Sequence, residues 1–161
     1  MAPWVTAQKF MASSKALAFY RNELLLLLRD NNPRINEPNK WCLPGGGVER
    51  GETFLEALKR EFREETNVEP ANVVFLAFFK ALREEEGALY SVILQEDEVA
   101  RLKLGNEGQK LEFFSFNNAL KLNLCFGLKE MFEQYRFDLR KAFVGKNTVF
   151  KKSIGLYFSS L

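Results

Sequence analysis

The stretch GGVERGETFLEALKREFREETNV, residues 46–68, joins a glycine-rich loop to a helix whose apolar stripe turns acidic. At about 100° per residue, Phe54 and Leu58 share one side of the predicted helix with Glu61 and Glu65, which follow in its last two turns. The opposite side already carries charged residues of its own. We therefore expect Glu61 and Glu65 to lie away from bulk water.

Carboxylates clustered near the end of a helix are unfavourable for three reasons. Glu61, Glu64 and Glu65 repel one another, acidic groups sit better at a helix N-terminus, and burial of an anion is costly. A divalent cation offsets all three penalties, and oxygen ligands select a hard ion such as Mg²⁺ or Mn²⁺. A solvated helix with i,i+4 salt bridges is the alternative, and helix geometry alone leaves both interpretations open.

The loop before the helix, Gly45-Gly46-Gly47, follows a proline. Glycine allows a positive φ and a close approach of the backbone to a ligand. Exposed amides can cradle phosphate, and an exposed carbonyl can bind a cation. An ordinary turn is equally compatible with a run of glycines, and the pattern is neither a P-loop nor a dinucleotide-binding fingerprint.

Composition limits the class of protein. The chain has 161 residues, 47% apolar and 27% charged, which is typical of one globular domain over residues 1–161. A net charge of +2 gives no electrostatic reason to expect nucleic acid or membrane binding. Apolar blocks such as Leu24 to Leu28 are far too short for a membrane span, and we expect no cleaved signal peptide. The absence of histidine excludes His-dependent triads and His-ligated zinc.

Two cysteines, Cys42 and Cys125, are too few for a disulfide scaffold. We expect two buried thiols in a reducing compartment, and therefore a cytoplasmic location.

The order of apolar segments predicts a mixed α/β or α+β sandwich. The predicted strands cover residues 16–20, 24–28, 41–43, 73–82, 88–95 and 111–116, and the predicted helices cover 53–66 and 124–143. Arg21-Asn22 is a predicted tight turn between the first two strands. The tail, residues 144–161, fits either an added strand or a loose basic segment.

Residues 46–68 resemble the Nudix box, Gly-x5-Glu-x7-Arg-Glu-U-x-Glu-Glu-x-Gly-U, where U is a bulky apolar residue. The resemblance extends over roughly residues 15–135 and implies an α/β/α sandwich with a mixed β-sheet. Asn67 departs from the pattern, because it replaces the second glycine of the box. We expect Asn67 to adopt the left-handed conformation, which asparagine tolerates better than most residues.

The resemblance implies metal-dependent hydrolysis of a nucleoside diphosphate linked to another moiety. By resemblance, Mg²⁺ or Mn²⁺ would be held by Gly45 (through its carbonyl), Glu61, Glu64, Glu65 and Glu107. The catalytic group would comprise Glu61 as acceptor of the water proton, Arg60 as its orienting partner and Glu52 at the loop–helix junction. Arg29 would contact the substrate, with a strand-end salt bridge as the alternative, and Glu107 could instead belong to an ordinary surface turn.

The resemblance also bears on substrate and partners. The compact length and the Gly-Asn-Glu-Gly-Gln loop at residues 105–109 favour a (d)NTP cleaved to (d)NMP and pyrophosphate. The alternatives are an ADP-ribose or nucleotide-sugar pyrophosphatase and a non-catalytic nucleotide-sensing domain. Retention of the four box glutamates favours catalysis. The expected partner is a small-molecule nucleotide, and a homodimer is compatible with the family, many of whose members pair.

Overall fold

The computed structural model describes residues 12–80, 86–136 and 139. The elements in chain order are β1 (Ser13–Tyr20), β2 (Glu23–Leu28), β3 (Trp41–Cys42), α1 (Phe54–Thr66), β4 (Val73–Lys80), β5 (Glu86–Ile93), α2 (Glu96–Arg101), β6 (Lys110–Phe114), α3 (Phe116–Ala119) and α4 (Phe126–Gln134).

The six strands form one mixed sheet in the order β3-β2-β1-β5-β4, with β6 also paired to β2. β1 runs parallel to β5, and the other pairings are antiparallel. The predicted tight turn joins β1 to β2, with Phe19 opposite Leu24 and Arg21 at a φ of 53°. The mixed sheet confirms the predicted fold class.

Both faces of β1 are covered. Leu17 and Phe19 belong to one apolar cluster, which α4 caps, while Ala16 and Ala18 belong to a second cluster beneath α1. Phe62 of α1 has no exposed surface in that second cluster. Because successive side chains of a strand point to opposite faces, a central strand that is apolar throughout requires a helix on each side. The result is the predicted α/β/α sandwich.

Helix α1 is closed at both ends by its own sequence. Thr53 and Glu56 form a reciprocal capping box at the start. Asn67 ends the helix in the left-handed conformation, at a φ of 60° and a ψ of 17°, and its amide donates to the Arg63 carbonyl. The expected conformation of Asn67 is therefore confirmed, and α1 lies within one residue of its predicted start.

Substitution of Asn67 tests this helix end. Asn67→Ala should lower the free energy of unfolding by about 1 kcal/mol, because alanine resists the left-handed conformation. Asn67→Gly should be tolerated, since glycine adopts a positive φ without strain. Urea denaturation of the three proteins measures the difference, and a glycine variant less stable than the alanine variant would show that the backbone strain is not at this position.

The second predicted helix differs from the structure at its start and near its middle. The helix predicted over residues 124–143 begins at Phe126 and runs to Gln134. A turn at Tyr135 interrupts it, after which Arg136 and Leu139 are again helical, and the Leu139 amide donates to the Tyr135 carbonyl at 2.9 Å. Residues 137–138 and 140–143 lie outside the described residues, as does the tail 144–161. Helices α2 and α3 were not predicted, because both are too short to show helical periodicity.

The expectation of two separate thiols was also wrong. Cys42 and Cys125 are paired as a disulfide, with their Cα atoms 5.4 Å apart, a separation within the range for such bonds. The pair joins β3 to the N-terminal cap of α4. Sequence alone did not indicate this contact, because the two residues are 83 positions apart in the chain.

Across the described ranges, every helix is too short or too polar to cross a membrane.

Candidate active site

The glycine-rich loop lies alongside β1, where it occupies the space left as β1 diverges from β2. The backbone amides of Ser14 and Ala16 donate to the carbonyls of Gly46 and Pro44, each at 2.9 Å. Gly45, between these two carbonyls, has a φ of 118°. A Cβ atom on Gly45 would overlap the Ser14 carbonyl oxygen. Glycine is therefore required here by both conformation and space.

Arg60 connects the loop to the carboxylates of α1. Its Nε and Nη2 donate to the two oxygens of Glu52 at 2.7 and 2.9 Å, and its Nη1 donates to Glu61 at 2.7 Å. Nη2 also donates to the Gly47 carbonyl at 2.8 Å. The hydrogen bonds from Arg60 lower the pKa of Glu52 to about 2, and the same contacts raise the pKa of Arg60. The Arg60 guanidinium, which is itself fixed by Glu52 and the Gly47 carbonyl, thus holds Glu61 in one orientation.

The Glu61 carboxylate lies directly against the loop. A Cβ atom on Gly46 would overlap the Glu61 carboxylate, so the missing side chain makes room for it. Glu61 is half-buried, whereas Glu64, one turn from Arg60, has 58% of its side chain exposed. The prediction that Glu61 lies away from bulk water is confirmed.

Glu65 is half-buried and accepts a 2.7 Å hydrogen bond from the Gly45 amide. Burial raises the pKa of Glu65 to about 7, and the Glu61 and Glu107 charges act in the same direction. The Lys15 ammonium and the Gly45 amide oppose this rise. Glu65 is therefore a carboxyl that titrates near neutral pH in a chain without histidine.

A second loop, residues 105–109, packs on the end of α1. The Gly105 amide donates to the Glu65 carbonyl at 2.9 Å, and a Cβ atom on Gly105 would overlap the Glu64 carbonyl. This close approach brings Glu107, which is exposed, within electrostatic range of Glu65. Glu107 thus lies on the loop that packs against the end of α1, and its role as a metal ligand stays a prediction.

Lys15 is a charged group that sequence reasoning missed. Its ammonium donates a hydrogen bond to the Gly45 carbonyl. Burial lowers the pKa of the Lys15 amine, while Glu65 and Glu61 counter this effect. The sequence signal for this role was a single lysine next to an apolar strand. It was missed because the predicted strand began at Ala16 and left Lys15 outside.

Arg29, the predicted substrate contact, follows the end of β2. Its Nε donates to the Asn36 carbonyl at 3.1 Å, and its carbonyl accepts from Gln109 at 2.6 Å. Its charge acts on Lys15. Arg29 is thus near the same cluster and is not engaged in a strand-end salt bridge among the described residues.

The donor atoms fit a hard divalent cation, since all are carboxylate or carbonyl oxygens and the glycines leave space for them. In the part of the chain that the structure describes, three or more acidic or cysteine side chains do not converge as a finished ligand set. Three of the candidate ligands are bound to other groups. Glu61 is bound to Arg60, Glu65 to the Gly45 amide, and the Gly45 carbonyl to Lys15.

Comparison with solved structures agrees with this architecture. A mutT/nudix family protein from Listeria innocua superposes with a TM-score of 0.67 over 87% of this chain and 96% of its own, at 22% identity. A MutT protein from Methanosarcina mazei Go1 has a TM-score of 0.56 at 28% identity, with 85% of this chain and 94% of its own covered.

Curated sequences show two kinds of relative. The chain is 39% identical over 105 residues to an ADP-ribose pyrophosphatase of Methanocaldococcus jannaschii, which covers 63% of this chain and 59% of that protein. It is 50% identical over 44 residues to the nucleoside triphosphatase NudI of Enterobacter sp. (strain 638), which covers 27% of this chain and 31% of the relative. The chain thus spans less than two thirds of these relatives' length.

The NUDIX domain matches residues 11–135, which include the glycine loop, α1 and the second loop at its end. Since this match spans well over half of the chain, the protein belongs to the Nudix family.

Proposed function

We propose that the protein is a pyrophosphohydrolase that cleaves the diphosphate of a nucleotide. The observation that carries this proposal is the fixed position of Glu61, which Arg60 holds against the loop while Arg60 itself is anchored on Glu52. A carboxylate whose orientation is set by a half-buried guanidinium and a glycine loop is suited to accept a proton from an attacking water. A solvated salt-bridge helix needs no such anchoring.

The residues that would hold Mg²⁺ or Mn²⁺ are Gly45 (through its carbonyl), Glu61, Glu64, Glu65 and Glu107. When bound, the ion neutralises phosphate charge and lowers the pKa of water. Glu61 accepts the water proton, Arg60 keeps Glu61 aligned, and Glu52 keeps Arg60 aligned. Arg29 supplies positive charge for a substrate phosphate at the end of β2.

Two substrate classes are proposed, in order. The first is a (d)NTP cleaved to (d)NMP and pyrophosphate, supported by the resemblance to MutT-like members and by the NudI relative. The second is ADP-ribose or a nucleotide sugar, supported by the longer match to the Methanocaldococcus jannaschii protein. A cytoplasmic location is also proposed. It rests on composition alone, because the pairing of Cys42 with Cys125 removes the support from free thiols.

Product analysis separates these possibilities. The purified chain is incubated with Mg²⁺ and with the dNTPs, ADP-ribose and a nucleotide sugar in turn, and the products are resolved by ion-exchange chromatography. Pyrophosphate with dNMP supports the first class, while AMP with ribose 5-phosphate supports the second. Tight nucleotide binding without turnover of any substrate would replace the enzymatic proposal with a sensing role.

A further inference from the structure

Both polar backbone atoms of Gly45 are already bound by ionisable side chains. Its amide donates to Glu65 at 2.7 Å, and its carbonyl accepts from the Lys15 ammonium. Lys15 lies between two residues of β1 whose amides bind the neighbouring loop carbonyls. The backbone hydrogen bonds of Ser14 and Ala16 therefore hold β1 against the loop, and this places the Lys15 side chain at the Gly45 carbonyl.

The charges around Lys15 explain why the ammonium is tolerated there. Glu65 and Glu61 attract it, and Arg29 repels it. The lysine thus supplies one positive charge within a set of oxygens that would otherwise be mutually repulsive. A bound divalent ion would reduce the same repulsion.

We propose that Lys15 is an internal counter-ion that competes with divalent metal for the Gly45 carbonyl. This inference rests on the metal role of Gly45 and Glu65 in the proposed function. An ammonium in hydrogen-bond contact with a carbonyl oxygen repels a doubly charged ion approaching that oxygen. Metal binding therefore requires Lys15 to withdraw, and the cost of this displacement weakens the apparent affinity. Lys15 is a positioning residue, not a group that reacts.

Neutralising Lys15 should strengthen metal binding. Lys15→Met keeps the length of the side chain and removes its charge. We expect its dissociation constant for Mn²⁺ to fall by about tenfold or more relative to the unsubstituted protein. Free Mn²⁺ is counted by electron paramagnetic resonance without substrate, so the readout is independent of activity.

Three further variants make the result of the Mn²⁺ measurement interpretable. Lys59→Met removes the same charge from a lysine on α1 that is paired with Glu69 and is 41% exposed, and it should leave affinity unchanged. Lys15→Gln is a second neutral variant and should agree with Lys15→Met, which guards against misfolding of either one. Glu65→Gln tests the metal site itself and should weaken binding.

The outcomes separate the two proposals. If Glu65→Gln loses Mn²⁺ while both neutral Lys15 variants bind as the unsubstituted protein or more weakly, the counter-ion inference is overturned and the metal site stands. If Glu65→Gln binds normally but the Lys15 variants bind more tightly, the ligand assignment is overturned. Absence of binding in every protein overturns both.

Discussion

Glu61→Gln should lower kcat by about 10²- to 10⁴-fold, the range expected when a general base is removed. The glutamine retains an oxygen that can accept the hydrogen bond from Arg60 Nη1, so the loop and α1 should keep their arrangement. The variant loses the proton acceptor and one negative charge from the proposed metal site. Initial rates on the substrate identified by product analysis measure the change.

Glu69→Gln is the matched control for this variant. Glu69 follows α1, has 53% of its side chain exposed and pairs with Lys59 and Arg63, so it carries the same charge outside the cluster. Its activity should equal that of the unsubstituted protein. Retention of activity within a few-fold by Glu61→Gln would assign the base to another group.

Gly45→Ala should have the largest effect on stability. The φ of 118° at Gly45 is strained for any L side chain, and such strain costs about 1–3 kcal/mol. The added Cβ would also overlap the backbone of Ser14, which cannot rotate away as a side chain can. We expect a lower urea midpoint and loss of activity together, because the loop must leave β1 to accommodate the methyl group.

Gly47→Ala provides the comparison, since a Cβ at Gly47 meets no atom within 4 Å. Its free energy of unfolding should stay within about 0.5 kcal/mol of the unsubstituted protein. Equal destabilisation by both substitutions would mean that loss of glycine flexibility, and not the contact with β1, determines stability in this loop.

Local patterns in the sequence predicted most of the fold. The continuous apolar runs of β1 and β2, the two-residue turn between them and the capped helix α1 depend on neighbouring residues, so each is visible in one segment. The helix predicted over residues 124–143 starts two residues later in the structure and has a turn at Tyr135, which apolar periodicity alone does not reveal. The pairing of Cys42 with Cys125 depends on how β3 meets α4, which no local pattern records.

In the candidate site, too, some residues were predictable from the sequence and others depend on tertiary contacts. The resemblance to the Nudix box assigned Glu52, Arg60 and Glu61 to one group, and hydrogen bonds join them in the structure. Lys15 was missed because its role depends on the loop lying beside β1. The raised pKa of Glu65 likewise depends on burial between the two loops, which becomes visible only in three dimensions.

The parallel pairing of β1 with β5 affects the order in which the molecule can assemble. β1 anchors the glycine loop, yet its partner follows only after α1 and β4 in the chain. Closing so long a segment costs chain entropy before the contact returns stabilisation. During synthesis the first hairpin and α1 would leave the ribosome ahead of β5, so a competent centre should form late and cooperatively.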